Sequence, residues 1–161
     1  MCFFRQDKLI KGALFSDCKL YRYNLWRIWD KEKAHVMFIG LNPSTADEFN
    51  DDPTIRRCIS FAKSWGYGGI YMTNLFAFRA TNPNNMKIAN DPVGKLNNLC
   101  LMDHFAQSKI TIACWGIHGI YKDRDKEVKK LIPKMMCLGK TKDGHPKHPL
   151  YLKKDLRPVK L

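Results

Sequence analysis

Three short segments constrain this chain more than anything else in it: Val36-Met37-Phe38-Ile39-Gly40, Gly69-Ile70-Tyr71-Met72-Thr73-Asn74-Leu75 and Ile110-Thr111-Ile112-Ala113-Cys114-Trp115-Gly116. Each is strand length and nearly free of charge, the composition of strands covered on both faces. Helix signals separate them. Asp52-Pro53-Thr54 offers an N-cap and a first-turn proline ahead of Ile55, Ile59, Phe61 and Ala62. Asp91-Pro92 opens a second helix, with Leu96, Leu99, Cys100 and Phe105 on one face, and a charged helix follows over about 121–132. Residues 134–138 read as a fourth short strand, and residues 20–29 alternate as an N-terminal strand. The sequence therefore predicts an α/β protein: a three-layer sandwich around a central, mainly parallel sheet of about four strands, with an N-terminal antiparallel strand or hairpin. At 161 residues, with no repeat and no low-complexity linker, one domain is expected over 1–161, residues 1–33 forming the N-terminal extension.

Charge narrows the partner. Lys and Arg number 28 against 15 Asp and Glu, a net charge of +13. The excess is uneven: +4 over residues 1–40, +1 over 41–121 and +8 over 122–161. A near-neutral middle suits a pocket, and a basic tail suits a polyanion, nucleic acid first and an acidic membrane surface second. Lys140, Lys142, Lys147, Lys153 and Lys154 are the candidate DNA contacts in that tail. A solubilising lysine coat explains the same tail nearly as well. The six cysteines form no C-x-x-C pair and no zinc-finger spacing, so no metal and no cofactor is expected. No apolar run approaches the roughly 20 residues of a membrane span. The start, Met1 to Asp7, turns polar too early for a signal peptide. A monomer in a reducing cytoplasm, without membrane contact, is the expectation.

In parallel sheets, ligands bind beyond the carboxyl ends of the strands. That rule singles out residues 40–47, 74–83, 115–119 and 139–151. In the first, Gly40 permits a sharp turn, Pro43 stiffens the backbone at Asn42, and Ser44 and Thr45 add hydroxyls; a plain turn with a helix cap is the bland alternative. In the second, Asn74 ends a strand and can offer donor and acceptor together to a base edge, though strand-end capping is the commoner use. Phe76 could stack on a base or lie in the core, and Arg79 follows. The last segment, Gly144-His145-Pro146-Lys147-His148-Pro149-Leu150-Tyr151, is stiffened by two His-Pro steps.

The order strand, Gly40-Leu41-Asn42-Pro43, helix, strand ending in Asn74, strand ending in Trp115-Gly116, strand, His-Pro loop resembles the uracil-DNA glycosylase superfamily. Gly40-Leu41-Asn42-Pro43 is similar to the Gly-x-Asn-Pro motif of its mismatch-specific and single-strand-selective branches. Residues 70–75 with Arg79 and Pro83 resemble the thermophile-type branch, and His145-Pro146 through Pro149-Leu150 resembles a His-Pro-Ser-Pro-Leu loop that enters the minor groove. Ser44 stands where glycine or tyrosine is usual, and the His-Pro loop is one residue longer. The chain is also similar, from Tyr21 to Leu152, to a family of bacterial and phage proteins of unassigned function. That family is marked by Leu-Asn-Pro-Ser-Thr-Ala-Asp, Asn-Leu-Phe-Ala and His-Pro-Leu-Tyr-Leu.

The first resemblance implies a DNA glycosylase-like enzyme, acting on a flipped base, a modified or damaged one included, in a bacterial cell or encoded by a phage. It implies that Asn42 positions the attacking water, that His148 or His145 steadies the leaving base, and that Asn74 reads it, with Gly40, Leu41, Pro43, Ser44, Thr45, Phe76, Arg79, Trp115 and Gly116 around the substrate. Asp47, Asp51 and Asp52 are the nearby carboxylates that could serve as general base; Asp47 is the better catalytic candidate and Asp52 the better helix cap. His148 is preferred to His145 because it directly precedes Pro149-Leu150. The alternatives are a non-catalytic nucleic-acid-binding protein on the same scaffold, such as an inhibitor or sensor from a phage or mobile element, and a nucleoside or nucleotide hydrolase.

Overall fold

The structure is a computed structural model and describes residues 8–161; Cys2 and the polar start lie outside the described residues. In chain order the elements are β1 (Ile10–Phe15), β2 (Arg22–Ile28), β3 (His35–Gly40), α1 (Pro53–Ser64), β4 (Gly69–Asn74), α2 (Pro83–Lys87), α3 (Asn97–Gln107), β5 (Ile110–Ala113), a 3-10 segment (Ile117–Asp123), α4 (Arg124–Leu131), β6 (Met136–Cys137) and β7 (Val159–Lys160).

The expected mainly parallel sheet of about four strands is not what forms. The sheet has seven strands, ordered β1-β2-β4-β3-β5-β6-β7, and it is mixed. β1 with β2, β2 with β4, and β6 with β7 pair antiparallel. β3 pairs parallel with β4 and with β5, and β5 with β6. The reason lies in β2. Its first four residues are buried despite the polar Arg22 and Asn24, so it is an interior strand between β1 and β4 rather than an appendage. Within residues 8–33, β1 and β2 form an antiparallel pair that joins the sheet through β4.

Both faces of the sheet are covered, as its side-chain parity requires. On one, Leu25, Val36, Phe38, Ile70, Met72, Ile112 and Cys114 pack against Ile55, Cys58, Phe61 and Ala62 of α1. On the other, Met37, Ile39, Leu75, Ala113 and Trp115 meet Met86, Leu101 and Val128 of α2, α3 and α4. β3 sits between β4 on one side and β5 on the other, and the connection to β4 runs through α1 on one face while that to β5 runs through α3 on the opposite face. The carboxyl end of β3 is therefore a topological switch point, where the flanking loops part and leave a crevice.

Helix α1 forms as its first residues dictate: Asp52 is the N-cap, its carboxylate accepting the Ile55 N–H at 2.9 Å, and Pro53 takes the first turn. The helix expected from Asp91-Pro92 starts later. Asp91 instead accepts from the Val93 and Gly94 N–H groups in a turn, and the helix begins at Asn97. Its buried face carries Asn97 and Leu101, while Leu96 and Leu99 are exposed. No described helix is long and apolar enough to cross a membrane.

Candidate functional site

A cavity of about 620 Å³ opens at the switch point. Its wall includes Gly40, Leu41, Asn42 and Ser44 from the loop after β3, Asn74 from the end of β4, Trp115 and Gly116 from the end of β5, and Lys147 and His148 from the His-Pro loop. Asn42, Asn74 and His148, distant in sequence, thus face one space.

Each is held by its own loop. Both hydrogens of the Asn42 amide are used: Nδ2 donates to the Ala80 carbonyl at 2.7 Å and to the Pro43 carbonyl at 3.1 Å. The amide is fixed, and Oδ1 is its remaining polar atom, an acceptor. The Asn74 side chain is 2% exposed, and its Nδ2 is a buried donor without a partner. Buried polar groups are satisfied as a rule, so an orphaned amide on a cavity wall marks a place for a ligand acceptor. Gly40 makes room for it: a Cβ at position 40 would stand 2.8 Å from Asn74 Oδ1. The end of β4 is clamped from behind by two residues that sequence reading missed. Asn97 Nδ2 donates to the Asn74 and Leu75 carbonyls at 3.0 and 2.9 Å, and Arg124 Nε donates to the Leu75 carbonyl at 2.8 Å.

His148 stands exposed at the cavity mouth. Its Nδ1 faces the Leu150 N–H at 3.2 Å and accepts from it. The neutral ring therefore carries its hydrogen on Nε2, the nitrogen left for a ligand. Removal from water lowers its pKa below the ordinary 6.5, and the negative charge of Asp52 opposes that shift. The loop is pinned at several points. Gly116 N–H donates to the Pro146 carbonyl at 3.0 Å, Lys147 N–H to the Gly139 carbonyl at 2.9 Å, and Thr141 N–H to the His145 carbonyl at 2.9 Å. Arg57 donates to the Leu152 carbonyl and ties the loop to α1. Tyr151, 94% exposed, adopts φ +67° at the tip.

Other expected residues lie elsewhere. Asp47 organises its own loop, its carboxylate accepting from the Phe49 N–H at 2.8 Å, the Asn50 N–H at 2.7 Å and the Asn50 amide. Those bonds lower its pKa, and it does not line the cavity. Phe76 is wholly buried among Leu75, Met86 and Leu101, so it packs the core. Arg79 reaches the Lys19 carbonyl at 3.0 Å and lies over the Phe15 ring. His145 lines a neighbouring cavity with Lys87, His118 and Lys122. Pro43 is buried, and its carbonyl receives the Ala80 N–H at 2.9 Å; Thr45 is exposed. Lys140, Lys142, Lys153 and Lys154 are exposed outside the cavity, whereas Lys147 is at its edge.

Arg22 had no role in the sequence reading, and Asp52 stood there as a nearby carboxylate and helix cap; both line the cavity. Arg22, 2% exposed, enters from β2, where alternation had marked it only as the polar side of a strand. Asp52 turns its capping carboxylate to the same space. Among the described residues no cluster of three or more His, Cys, Asp or Glu side chains is placed to hold a metal ion.

A protein-family model described as "Protein of unknown function (DUF1643)" matches residues 22–150, a span that contains Arg22, Asn42, Asn74 and His148. Comparison with curated proteins and with solved structures finds no match.

Proposed function

The chain belongs to the DUF1643 family of proteins of unknown function, and from that premise and the geometry of the cavity we propose that it is a DNA glycosylase-like enzyme that hydrolyses the N-glycosidic bond of a flipped base. One observation carries the reading: an oriented acceptor on Asn42, an orphaned donor on Asn74 and the Nε2–H of His148 line a single cavity at the switch point. Hydrolysis of such a bond separates charge. The sugar gains oxocarbenium character and the base departs with negative charge. Water then needs aiming rather than strong activation, which Asn42 Oδ1 can do by accepting one of its hydrogens. The departing base needs fixed donors, which His148 and Asn74 supply without reorganisation. A base inside a duplex cannot reach a cavity of this kind, so the target must be extruded. Tyr151, exposed at the loop tip, offers a ring to the strand left behind.

The test is incubation with single-stranded and duplex DNA of several base chemistries, followed by alkali cleavage. Strand breaks at one base type, lost in Asn42→Ala and His148→Ala, are expected. Intact strands across the whole panel, from protein shown to bind the same DNA, would leave a nucleic-acid-binding protein in its place.

A further inference from the structure

Among the described residues three arginines are buried, and they are not alike. Arg27, 1% exposed, donates from Nε to Asp51 at 2.8 Å and also reaches the Gly12, Trp26 and Asp47 carbonyls. Arg124, 1% exposed, pairs with Glu127 at 2.9 Å and donates to Leu75 and Asn98. Arg22, 2% exposed, has one bond, from Nη1 to the Ala46 carbonyl at 2.7 Å. Its Nε is buried without a partner, and no carboxylate among the described residues lies within 4.0 Å of it. It is also the one of the three that lines the cavity.

A buried cation with no ion-pair partner is costly to keep in the fold. Burial lowers the Arg22 pKa only to about 10, so the group remains a cation at neutral pH. The charges of Asp52 and Asp47 act on Arg22 from beyond 4.0 Å, and Asp52, which lines the same cavity, has its Oδ1 engaged by the Ile55 N–H that starts α1. Beside Arg22 the wall adds the orphaned Asn74 Nδ2, a second buried donor without a protein acceptor. The planar guanidinium fork matches two oxygens of one anionic group.

We propose that Arg22 is the counter-charge for an anionic, two-oxygen group of the ligand held in this cavity: a carboxylate borne by a pyrimidine base, or the phosphate of a nucleotide. The inference rests on the reading of the cavity as a base or nucleotide site, but not on whether a glycosidic bond is cleaved there. Asn74 donates to an oxygen of the same ligand, and the remaining wall supplies shape.

Binding of small probes tests it without any turnover. Orotate presents a carboxylate on a pyrimidine, deoxyuridine monophosphate presents a phosphate, and uracil and deoxyuridine are their uncharged counterparts. Calorimetric titration of the whole protein at fixed ionic strength, with inorganic phosphate as control, is expected to show one charged probe binding at least tenfold tighter than its uncharged counterpart and than phosphate alone. Preference for orotate assigns the carboxylate, and preference for the nucleotide assigns the phosphate. Arg22→Lys, which keeps the charge and loses the fork, should weaken that probe about tenfold, and Arg22→Gln should abolish the preference. Equal affinity for charged and uncharged probes in the wild-type protein overturns the proposal, whatever the stability of the variants. So does an unchanged preference in folded Arg22→Gln. A charged probe bound through Arg22 with no abasic site formed in any DNA leaves this inference standing and removes the glycosylase reading; abasic sites formed without any charged preference do the reverse.

Discussion

At the residue scale, the cavity separates groups that serve the fold from groups that do not. Asn97 and Asn74 are both buried asparagines, yet Asn97 Nδ2 donates to two carbonyls while Asn74 Nδ2 donates to none. Their alanine variants should therefore differ in kind. Asn97→Ala takes one donor from each of two buried carbonyls, that of Leu75 keeping Arg124 Nε, and should cost about 1–3 kcal/mol in denaturant titrations. Asn74→Ala forfeits no hydrogen bond through Nδ2, so its unfolding midpoint should move much less, while base excision falls on the order of 10²–10³-fold, the scale for losing one preorganised donor. A large loss of stability in Asn74→Ala with activity intact would make it a structural residue. His148 adds a pH signature. Although the residue is exposed, partial removal of its ring from water lowers its pKa, so the neutral ring with Nε2–H prevails at neutral pH. Protonating Nδ1 breaks the bond from the Leu150 N–H and frees the ring to turn. Turnover should fall as pH drops through a value below 6.5. Stability follows the same sign: a histidine more acidic when folded than unfolded contributes stability above the unfolded pKa that is lost as pH falls through the folded one. Paired pH–rate and pH–melting profiles of wild type and His148→Ala check both, since the variant should lack the His148 share of each acid limb.

At the scale of elements, α1 is joined to the site through its cap. Asp52 accepts from the Ile55 N–H, and its charge raises the His148 pKa against the partial removal of that ring from water. Asp52→Ala should cost about 1 kcal/mol through loss of the cap. Asp52→Asn keeps an amide oxygen for capping but removes the charge, so its melting temperature should stay near wild type while the acid limb of activity moves to lower pH. An unmoved limb in Asp52→Asn would uncouple the two residues. The same element shows what a sequence can disclose. The α1 start was legible because Asp52-Pro53 is a local signal, and β3, β4 and β5 were legible because unbroken apolar runs need cover on both faces. The pairing of β2 with β4 was not, since register between distant strands leaves no local mark in either. β7 and α2 are too short, at two and five residues, to carry a period. Asn42 and Asn74 could be found from strand ends, and His148 from the two His-Pro steps of its loop and the resemblance they carry. Arg22 could not, because in an alternating strand a polar residue is assigned to solvent, whereas here its backbone N–H meets the Ala77 carbonyl and its guanidinium meets the loop around Ala46.

At the scale of the whole molecule, charge and cavity are arranged on one side of the problem. The segment 122–161 carries +8 of the +13, and it includes the His-Pro loop that forms part of the cavity mouth. Lys147 stands at that mouth and Lys140, Lys142, Lys153 and Lys154 are exposed on the same segment. Phosphates of a strand whose base enters the cavity must pass the mouth, so Lys147 should meet one, whereas lysines elsewhere on the segment meet phosphates only where the strand continues over them. Each phosphate neutralised on duplex DNA contributes about 0.9 to the fall of log affinity with log salt. Affinity for duplex DNA should therefore fall steeply between low and moderate salt, and Lys147→Ala should reduce the slope by about one contact. Charge reversal at Lys153 and Lys154 together serves as the comparison. If these lysines only keep the protein dissolved, the slope stays the same in that double variant while Lys147→Ala still lowers it. A slope near zero in the wild-type protein would show that the positive charge is a solvating coat, and the ligand of the cavity would then have to be a free nucleoside or nucleotide rather than a base carried by a strand.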